Sequence, residues 1–405
     1  MKQLKTGMDN ISKTWCSMPW SHQFIDGQGR VKPCCRFKMP NDIEKENNVN
    51  KIPFKDIFYG DFMNDVRQKM LNGEPVDGCI RCYEEESTGK KSLRERYNSM
   101  DFLDLENLKN NLNNPTIKWL ELAISNDCNL ACRMCDSRYS WKWYQDELDM
   151  YGTAKTSKER IQSNIEFVDE FLEDILHIKF TGGEPLLIPD HFVLLDKLSK
   201  SKNVDKMFLN YNTNLTIFPK KDTIKKWKKF KKIDLALSFD GINDTWEYIR
   251  YPSTWNSTEK VIQKFFNLTN ELNCDIGIRS SISVNNILNM AESFSWYIEN
   301  WNRYASTDFD SNQWINPTHV TYPAFLRTTV LPLRYKDRVA EKLTKQNTFD
   351  GLMKTSIEKQ ISYMYSKDDS NLLLKTKNYT NFLDKRRKQN FYKVNPELEG
   401  LFDGI

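Results

Sequence analysis

The sequence predicts an α/β protein built on a parallel sheet, and the alternation of strands and helices predicts it. Between Ile117 and Tyr322, apolar strand-like runs alternate with helical segments of roughly ten to twenty residues. Such strand–helix units form a parallel sheet that is either doubly wound or curved into an incomplete barrel. In both cases we expect functional residues at the carboxyl ends of the strands.

The predicted strands are Ile117–Ile124, His177–Thr181, Lys206–Tyr211, Ile233–Ser238, Ile276–Val284 and Thr318–Tyr322. The predicted helices lie near 137–150, 160–175, 190–200, 222–230, 257–273 and 287–300.

The chain before and after this region has a different character. Residues 1–114 are rich in Gly, Pro, Asn and Cys, and only two stretches there, 62–71 and 82–97, read as helices. The polar run Asn110–Pro115 has the composition of a linker. The segments after residue 330 read as charged helices. We therefore predict three parts, a small Cys-rich domain over 1–114, the strand–helix domain over 115–325 and a helical extension over 326–405.

The composition is that of an ordinary soluble protein, with 39% hydrophobic and 28% charged residues in 405. The 59 Lys and Arg nearly balance the 55 Asp and Glu, and a net charge of +4 gives no strong case for nucleic acid or membrane as a partner. No apolar run approaches the length of a membrane span, and residues 1–10 lack the apolar core of a secretory signal. We expect a cytoplasmic protein.

The distribution of the nine cysteines is the unusual feature. Eight of them lie in the first third of the chain, and only Cys274 stands apart. In a reducing compartment, cysteines at short spacings bind metal or perform redox chemistry more often than they form disulfides. The clustering therefore indicates metal sites.

One group of cysteines follows the first predicted strand directly, as Cys128-x3-Cys132-x2-Cys135. Three thiolates at these spacings fit around one corner of a cubane iron–sulfur cluster and leave one iron without a protein ligand. Catalytic metal centres need such an open position, whereas structural ones lack it. The alternative is a zinc site whose fourth ligand comes from elsewhere in the chain.

This motif, together with Gly182–Pro185 (Gly-Gly-Glu-Pro) at the end of the second predicted strand, resembles the radical S-adenosylmethionine (SAM) enzymes over roughly 115–325. The resemblance implies a partial (β/α)6 TIM-like barrel and a 4Fe–4S cluster on Cys128, Cys132 and Cys135. It also implies SAM as the second cofactor. One electron cleaves SAM to a 5′-deoxyadenosyl radical, which removes a hydrogen from the substrate.

The same resemblance implies the residues that contact SAM. Gly182 and Gly183 let the backbone approach the cofactor, and Glu184 accepts a hydrogen bond from its ammonium group. Arg250 corresponds to an arginine near the cofactor carboxylate. Met134 stands where the family often has an aromatic residue near the adenine. The remaining residues implied at the cofactor are Asn212 and Asn214, suited to ribose hydroxyls, and Ser238 and Asp240.

The N-terminal cysteines resemble the twitch half of the SPASM-like auxiliary domains found in many radical SAM enzymes. The implied ligands of a second 4Fe–4S cluster are Cys16, Cys34, Cys79 and Cys82. Cys35 is the alternative to Cys34, which we prefer because the family spacing counts to it. A structural four-cysteine zinc site would have the same spacing. The order differs from the usual one, since here the auxiliary domain precedes the barrel.

These features predict a radical enzyme that abstracts hydrogen from a C–H bond of a peptide, a protein or a small polar substrate. The auxiliary cluster, closed by four thiolates, would transfer electrons, so that the net reaction is an oxidation or a cross-link. A flavodoxin or ferredoxin would supply the first electron. The alternatives are an epimerase with Cys274 as hydrogen donor, a non-catalytic zinc-binding interaction module, and an RNA-modifying enzyme that uses the basic helix at 220–232.

Overall fold

The computed structural model describes residues 13–87, 89, 91–100, 103–110, 112–307, 309 and 315–405. Residues 1–10, where a secretory signal was excluded, and residue 111 of the predicted linker lie outside this part of the chain. Within the described residues, no helix combines the length and the apolar composition that a membrane crossing requires.

The predicted α/β class is confirmed by a mainly parallel sheet with the strand order β2-β1-β3-β4-β5-β6-β7-β8. The strands found in the described residues are β1 (His22–Ile25), β2 (Val31–Lys32), β3 (Trp119–Ala123), β4 (His177–Thr181), β5 (Phe208–Thr213), β6 (Lys232–Ser238), β7 (Cys274–Ile282) and β8 (Ile315–His319). Strands β1 and β2 pair in the antiparallel sense. Strands β3 to β8 each overlap one of the six runs predicted from the sequence.

Helices precede, connect and follow these strands along the chain. In chain order they are α1 (Met18–Ser21), α2 (Asn41–Glu46), α3 (Phe54–Phe58), α4 (Asp61–Leu71), α5 (Ile80–Ser87), α6 (Leu93–Tyr97), α7 (Leu105–Asn110), α8 (Tyr144–Tyr151), α9 (Pro189–Leu198), α10 (Lys221–Trp227), α11 (Asn243–Ile249), α12 (Trp255–Asn267), α13 (Met290–Tyr304), α14 (Leu333–Gln346), α15 (Gly351–Tyr365), α16 (Leu373–Arg387) and α17 (Phe391–Val394).

Two predicted helices differ in the structure. The stretch 82–97 forms two helices, because Ser92 starts α6 with a capping box in which its hydroxyl accepts from Glu95 N and the Glu95 carboxylate accepts from Ser92 N. The predicted helix at 160–175 is wrong. There the Asn126 side chain binds the backbone of Ile161, and only a 3-10 helix over Glu166–Glu170 forms.

The chain divides into two compact units that interleave along the sequence. Unit 1 contains residues 1–126, 160–210 and 229–231, and unit 2 contains residues 127–159, 211–228 and 232–405. The domain boundaries predicted at 114/115 and 325/326 stay a prediction.

In unit 1, the short strand β1 brings the Cys-rich segment into the sheet. It pairs in parallel with β3, with His22 opposite Trp119, and β3 pairs in parallel with β4, with Trp119 opposite His177. Because side chains alternate along a strand, these three rings lie on one face, and Leu120 and Ile178 lie on the other. That second face is an apolar core, since both side chains are at most 1% exposed.

In unit 2, strands β6, β7 and β8 pair in parallel, with Leu237 opposite Ile278 and Ile278 opposite Ile315. Aromatic side chains of α12 and α13 cover them. Phe266 and Tyr297 meet edge to face with ring centroids 5.1 Å apart, and both are buried. Edge-to-face pairs of this kind add to the stabilisation from buried area.

We predict that Trp119→Ala destabilises the fold strongly. The indole is 4% exposed and contacts the rings of His22, Tyr97 and His177 at centroid distances of 4.8, 4.7 and 4.7 Å. Truncating a buried Trp costs about 3–5 kcal/mol. Anaerobic urea unfolding followed by circular dichroism should show a clear fall in the midpoint. The exposed Tyr151 is the control, and a midpoint for Trp119→Ala equal to that of Tyr151→Ala would contradict this packing.

Candidate metal centres and cofactor site

The loop that carries Cys128, Cys132 and Cys135 belongs to unit 2, and it brings the three thiols together. Burial raises the pKa of Cys132, and burial followed by the neighbouring Cys132 raises that of Cys135. A buried thiol with a raised pKa stays protonated unless a cation stabilises the thiolate. The loop therefore offers soft ligands, of which Cys132 and Cys135 need a cation in order to ionise.

The backbone of this loop is hydrogen-bonded to the segment after α11. Ala131 N donates to Tyr251 O at 2.7 Å, and Arg133 N donates to Ile249 O at 2.9 Å. Within the loop, Cys135 N donates to Cys132 O at 2.9 Å. These bonds hold the three cysteines in a defined backbone conformation without using their side chains.

Arg133 lies inside the cysteine motif, and its buried side chain ties the loop to the C-terminal helices. Its Nε donates to Tyr248 O at 2.9 Å, and its Nη2 donates to Asp384 Oδ1 at 2.5 Å and to Gln389 Oε1 at 2.9 Å. The guanidinium stacks 3.6 Å from the centroid of the Tyr248 ring. The Tyr379 hydroxyl donates to the carbonyl of Arg133. Helix α16 thus helps to fix the loop, a role that the sequence analysis missed.

Arg250 and Asp240 form a buried pair beside the thiols. Arg250 Nη2 donates to Asp240 Oδ2 at 2.5 Å, and Nη1 lies 3.9 Å from Cys132 Sγ. Asp240 Oδ1 accepts from Ser281 N at 2.6 Å, which fixes the carboxylate to β7. Burial opposes the charge of Arg250, but Asp240 and then Cys132 raise its pKa overall. The guanidinium is therefore a permanent positive charge next to the thiol group.

Asn214, which directly follows β5, contacts the thiol of Cys128. Its Nδ2 donates to Cys128 Sγ at 3.5 Å and to Asn129 Oδ1 at 3.0 Å. Its Oδ1 accepts from Thr216 N at 3.0 Å. Hydrogen bonds to cluster sulfurs are one of the means by which proteins set a cluster potential.

Three other residues of unit 2 are predicted to contact SAM, and they lie on the cysteine loop and at two strands. Asn212 is on β5, Ser238 is the last residue of β6, and Met134 precedes Cys135 on the loop. All three are partly exposed. Their roles stay predictions.

In unit 1, the Gly182–Glu184 turn follows β4, and its backbone needs glycine. Gly182 has φ +100°, and a Cβ there would lie 2.9 Å from Ala123 Cα. Gly183 N donates to Ser125 O at 3.0 Å. Glu184 is fully buried and accepts from Leu186 N at 3.2 Å. The turn packs closely on the end of β3, as expected for a segment where backbone approaches a ligand.

The N-terminal cysteines of unit 1 line one cavity. Cys16, Cys34, Cys79 and Cys82 come from three separate segments and line a small cavity of about 20 Å³ that is partly open to solvent. Burial and then the neighbouring Cys82 thiol raise the pKa of Cys79 to about 12. Gly78 belongs to the same wall, because a Cβ there would lie 2.2 Å from the Phe37 ring. Four thiols around one volume fit a closed cluster.

Cys35 does not line this cavity. Burial and then the Glu121 carboxylate raise its pKa, which places the thiol beside Glu121, on the face of the unit 1 sheet that carries Trp119. The pair lies in a turn in which Phe37 N donates to Cys34 O at 3.1 Å, and within this turn only Cys34 joins the other three thiols.

Cys274 is remote from the thiols of unit 2. It is the first residue of β7, seven residues before Ser281, which contacts Asp240. Seven residues of strand span roughly 23 Å. The structure therefore does not bring Cys274 together with the other predicted site residues.

In comparisons with known proteins, two family models match this chain, and each covers one of the two groups of cysteines. The Radical SAM superfamily model matches residues 122–278, which contain Cys128, Cys132 and Cys135. This chain carries a radical SAM domain. The SPASM model, described as an iron–sulfur cluster-binding domain, matches residues 16–83, which contain the four N-terminal cysteines. The radical SAM domain binds a 4Fe–4S cluster and SAM, and the SPASM domain binds additional iron–sulfur clusters.

The chain is also similar to individual proteins. The chain is 29% identical over 153 residues to the radical SAM cyclopropyl synthase TigE of Paramaledivibacter caminithermalis, a match that spans 33% of this chain and 29% of that protein. Among solved structures, anSMEcpe with bound AdoMet and the Cp18Cys peptide has a TM-score of 0.36 at 18% identity, covering 57% of this chain and 59% of that one. Streptococcus suis SuiB has a TM-score of 0.34 at 15% identity, covering 84% and 69%.

We predict that Arg133→Lys weakens the folded state of the cluster-free protein by about 2–4 kcal/mol. Lysine keeps the charge but cannot reproduce the planar fork that binds Tyr248 O and Asp384, so a buried ion pair loses its geometry. Thermal unfolding of the iron-free protein measures the effect. Arg303, exposed on α13, provides the control Arg303→Lys. Equal midpoints for the two variants would show that Arg133 does not anchor the loop.

Proposed function

We propose that this radical SAM enzyme abstracts hydrogen from a C–H bond of a peptide, a protein or a small polar substrate, and that its auxiliary cluster accepts the second electron. The observation that carries the proposal is the contrast between the two thiol groups. Three thiols come from one loop, whereas four surround one cavity. A cluster held by three thiolates keeps an iron for a cofactor, and one held by four is confined to electron transfer.

The ligand assignment follows from this contrast. We assign Cys128, Cys132 and Cys135 to the cluster that binds SAM. We assign Cys16, Cys34, Cys79 and Cys82 to the auxiliary cluster, in which Cys34 is supported over Cys35 by its place on the cavity wall. The cluster and SAM together supply the one-electron cleavage that yields the 5′-deoxyadenosyl radical.

The chain's own residues bind and orient the cofactor. Arg250, held by Asp240, offers a fixed guanidinium to the carboxylate of SAM. Glu184 offers a carboxylate to the ammonium group, and the glycines before it keep the backbone close. Asn212 and Asn214 offer amides to the ribose hydroxyls, while Met134 packs near the adenine.

Two further assignments belong to this proposal. Thiolate-ligated clusters persist best in a reducing compartment, which supports a cytoplasmic location. A flavodoxin or ferredoxin is the class of protein that would deliver the first electron. The distance of Cys274 from the thiols of unit 2 argues against the alternative of an epimerase that uses Cys274 as its hydrogen donor.

The reaction is tested by incubating the anaerobic, iron-loaded protein with dithionite and SAM. We expect 5′-deoxyadenosine by liquid chromatography, since these enzymes need only an electron and the cofactor for cleavage. Cys135→Ala should reduce the product to background, because two thiolates cannot hold the cluster. Fully iron-loaded wild-type protein that releases no 5′-deoxyadenosine would contradict the proposal.

The auxiliary ligands are tested by iron content in two matched double variants. Cys16→Ala with Cys35→Ala leaves three ligands at the cavity, so we expect it to keep about eight irons per chain. Cys16→Ala with Cys34→Ala leaves two, and its iron should fall to about four. The reverse result would make Cys35 the ligand. Zinc in place of iron in the anaerobically purified wild type would instead support the metal-binding interaction module.

A further inference from the structure

A polar layer crosses the sheet of unit 1 on the face opposite its apolar core. Phe24, Glu121 and Lys179 lie side by side in the register of β1, β3 and β4. Lys179 Nζ donates to Glu121 Oε1 at 2.7 Å. The Glu121 side chain is 4% exposed and that of Lys179 is 26% exposed, so the pair is buried at the carboxylate and accessible at the ammonium.

Asn210 on β5 belongs to the same face. The His177 ring stacks on the Phe208 ring with centroids 6.1 Å apart, which places these residues of β4 and β5 on one face. Lys179 and Asn210 each lie two residues further along, so they also face this side. The layer therefore contains a carboxylate, an ammonium and a carboxamide.

The layer below it carries no compensating charge. It consists of the rings of His22, Trp119 and His177, in contact at centroid distances of 4.8 and 4.7 Å. Burial lowers the pKa of His22 to about 4 and that of His177 to about 3, so both imidazoles are neutral at physiological pH. The charges of Glu121 and Lys179 thus balance each other, and the site as a whole is neutral.

Among the described residues, two buried acceptor atoms of this layer have no nitrogen or oxygen donor within hydrogen-bond distance, Glu121 Oε2 and Asn210 Oδ1. The Cys35 thiol beside Glu121 is only a weak donor. Buried acceptors without a donor are costly, and native proteins usually satisfy them. Lys179 donates only one of its three ammonium hydrogens within the described residues. The layer therefore has two acceptors and one donor to offer to a ligand.

An amide group matches this pattern. Its N–H donates to the free acceptors, its carbonyl accepts from Lys179, and it adds no charge to a neutral site. An ammonium ligand would add an unbalanced charge, and a carboxylate would face the Glu121 carboxylate. We propose that Glu121, Lys179 and Asn210 form a binding site for an amide group of the substrate, either a backbone peptide bond or a side-chain carboxamide. That the bound amide belongs to a substrate rests on the proposed function, whereas the binding itself does not require SAM cleavage.

The test uses two uncharged probes, N-acetylglycine N-methylamide and its ester analogue methyl acetoxyacetate. The ester has an oxygen atom in place of each N–H group of the amide. Saturation-transfer NMR on the anaerobic, oxidised holoenzyme measures their binding. The wild type should bind the amide about tenfold more tightly, because hydrogen bonds to a charged acceptor exceed neutral ones. Glu121→Gln should abolish this preference, because the amide nitrogen of Gln replaces the acceptor Oε2 with a donor.

The exposed Glu166 provides the control Glu166→Gln, which should bind the probes as the wild type does. Asn210→Leu is the second variant and should reduce the preference about threefold by removing one neutral acceptor. Iron content shows that each variant is folded. Equal binding of both probes by wild-type protein that still forms 5′-deoxyadenosine would overturn this site and leave the proposed function intact. An unchanged preference in Glu121→Gln would do the same.

Discussion

The structure depends on holding three thiols of one short loop in place for a metal. In the loop Cys128–Cys135, the sulfurs of Cys128 and Cys132 accept contacts from Asn214 Nδ2 and Arg250 Nη1, and the loop itself is fixed by other groups. Its backbone bonds to Ile249 and Tyr251, and its buried Arg133 reaches Asp384 on α16. A buried guanidinium with a carboxylate and a carbonyl as partners is strongly destabilised when one partner is lost. The C-terminal helices are thereby tied to the cluster loop, although they contribute no ligand of their own.

Much of this arrangement could be predicted from the sequence, because the chemistry there is local. The spacing of Cys128, Cys132 and Cys135 and the run Gly182–Glu184 each lie within one turn or loop. The strand–helix alternation was also readable, since apolar strands differ from amphipathic helices in period. The predicted superfamily, fold class and cofactors were all confirmed.

The remaining features depend on contacts that no short window contains. Arg133 and Asp384 are 251 positions apart, so only an unusual arginine within a cysteine motif hinted at the pair. Strand β1 was missed because four residues are too short for a period to show, and its place in the sheet comes from pairing with β3. The predicted helix at 160–175 failed because the side chain of Asn126, distant in sequence, holds its first residues in another conformation.

Within unit 1, the auxiliary thiols and the proposed amide site share a framework. His22 Nδ1 lies 2.9 Å from Pro33 O, next to Cys34, and its ring contacts Trp119 below the Glu121–Lys179 pair. Cys35 then points toward Glu121. A substrate held by this pair would lie near the segment that binds the second cluster. This proximity is what an auxiliary cluster needs in order to accept an electron from a substrate radical.

The central claim is that the cluster on Cys128, Cys132 and Cys135 has one iron that the protein leaves for SAM. The most direct measurement is electron–nuclear double resonance on the reduced cluster with SAM labelled with ¹⁵N in its amino group. A variant with Cys16, Cys34, Cys79 and Cys82 all changed to Ala would leave only this cluster in the spectrum. We predict a ¹⁵N coupling that disappears with unlabelled SAM. A fully assembled cluster without that coupling would contradict the account.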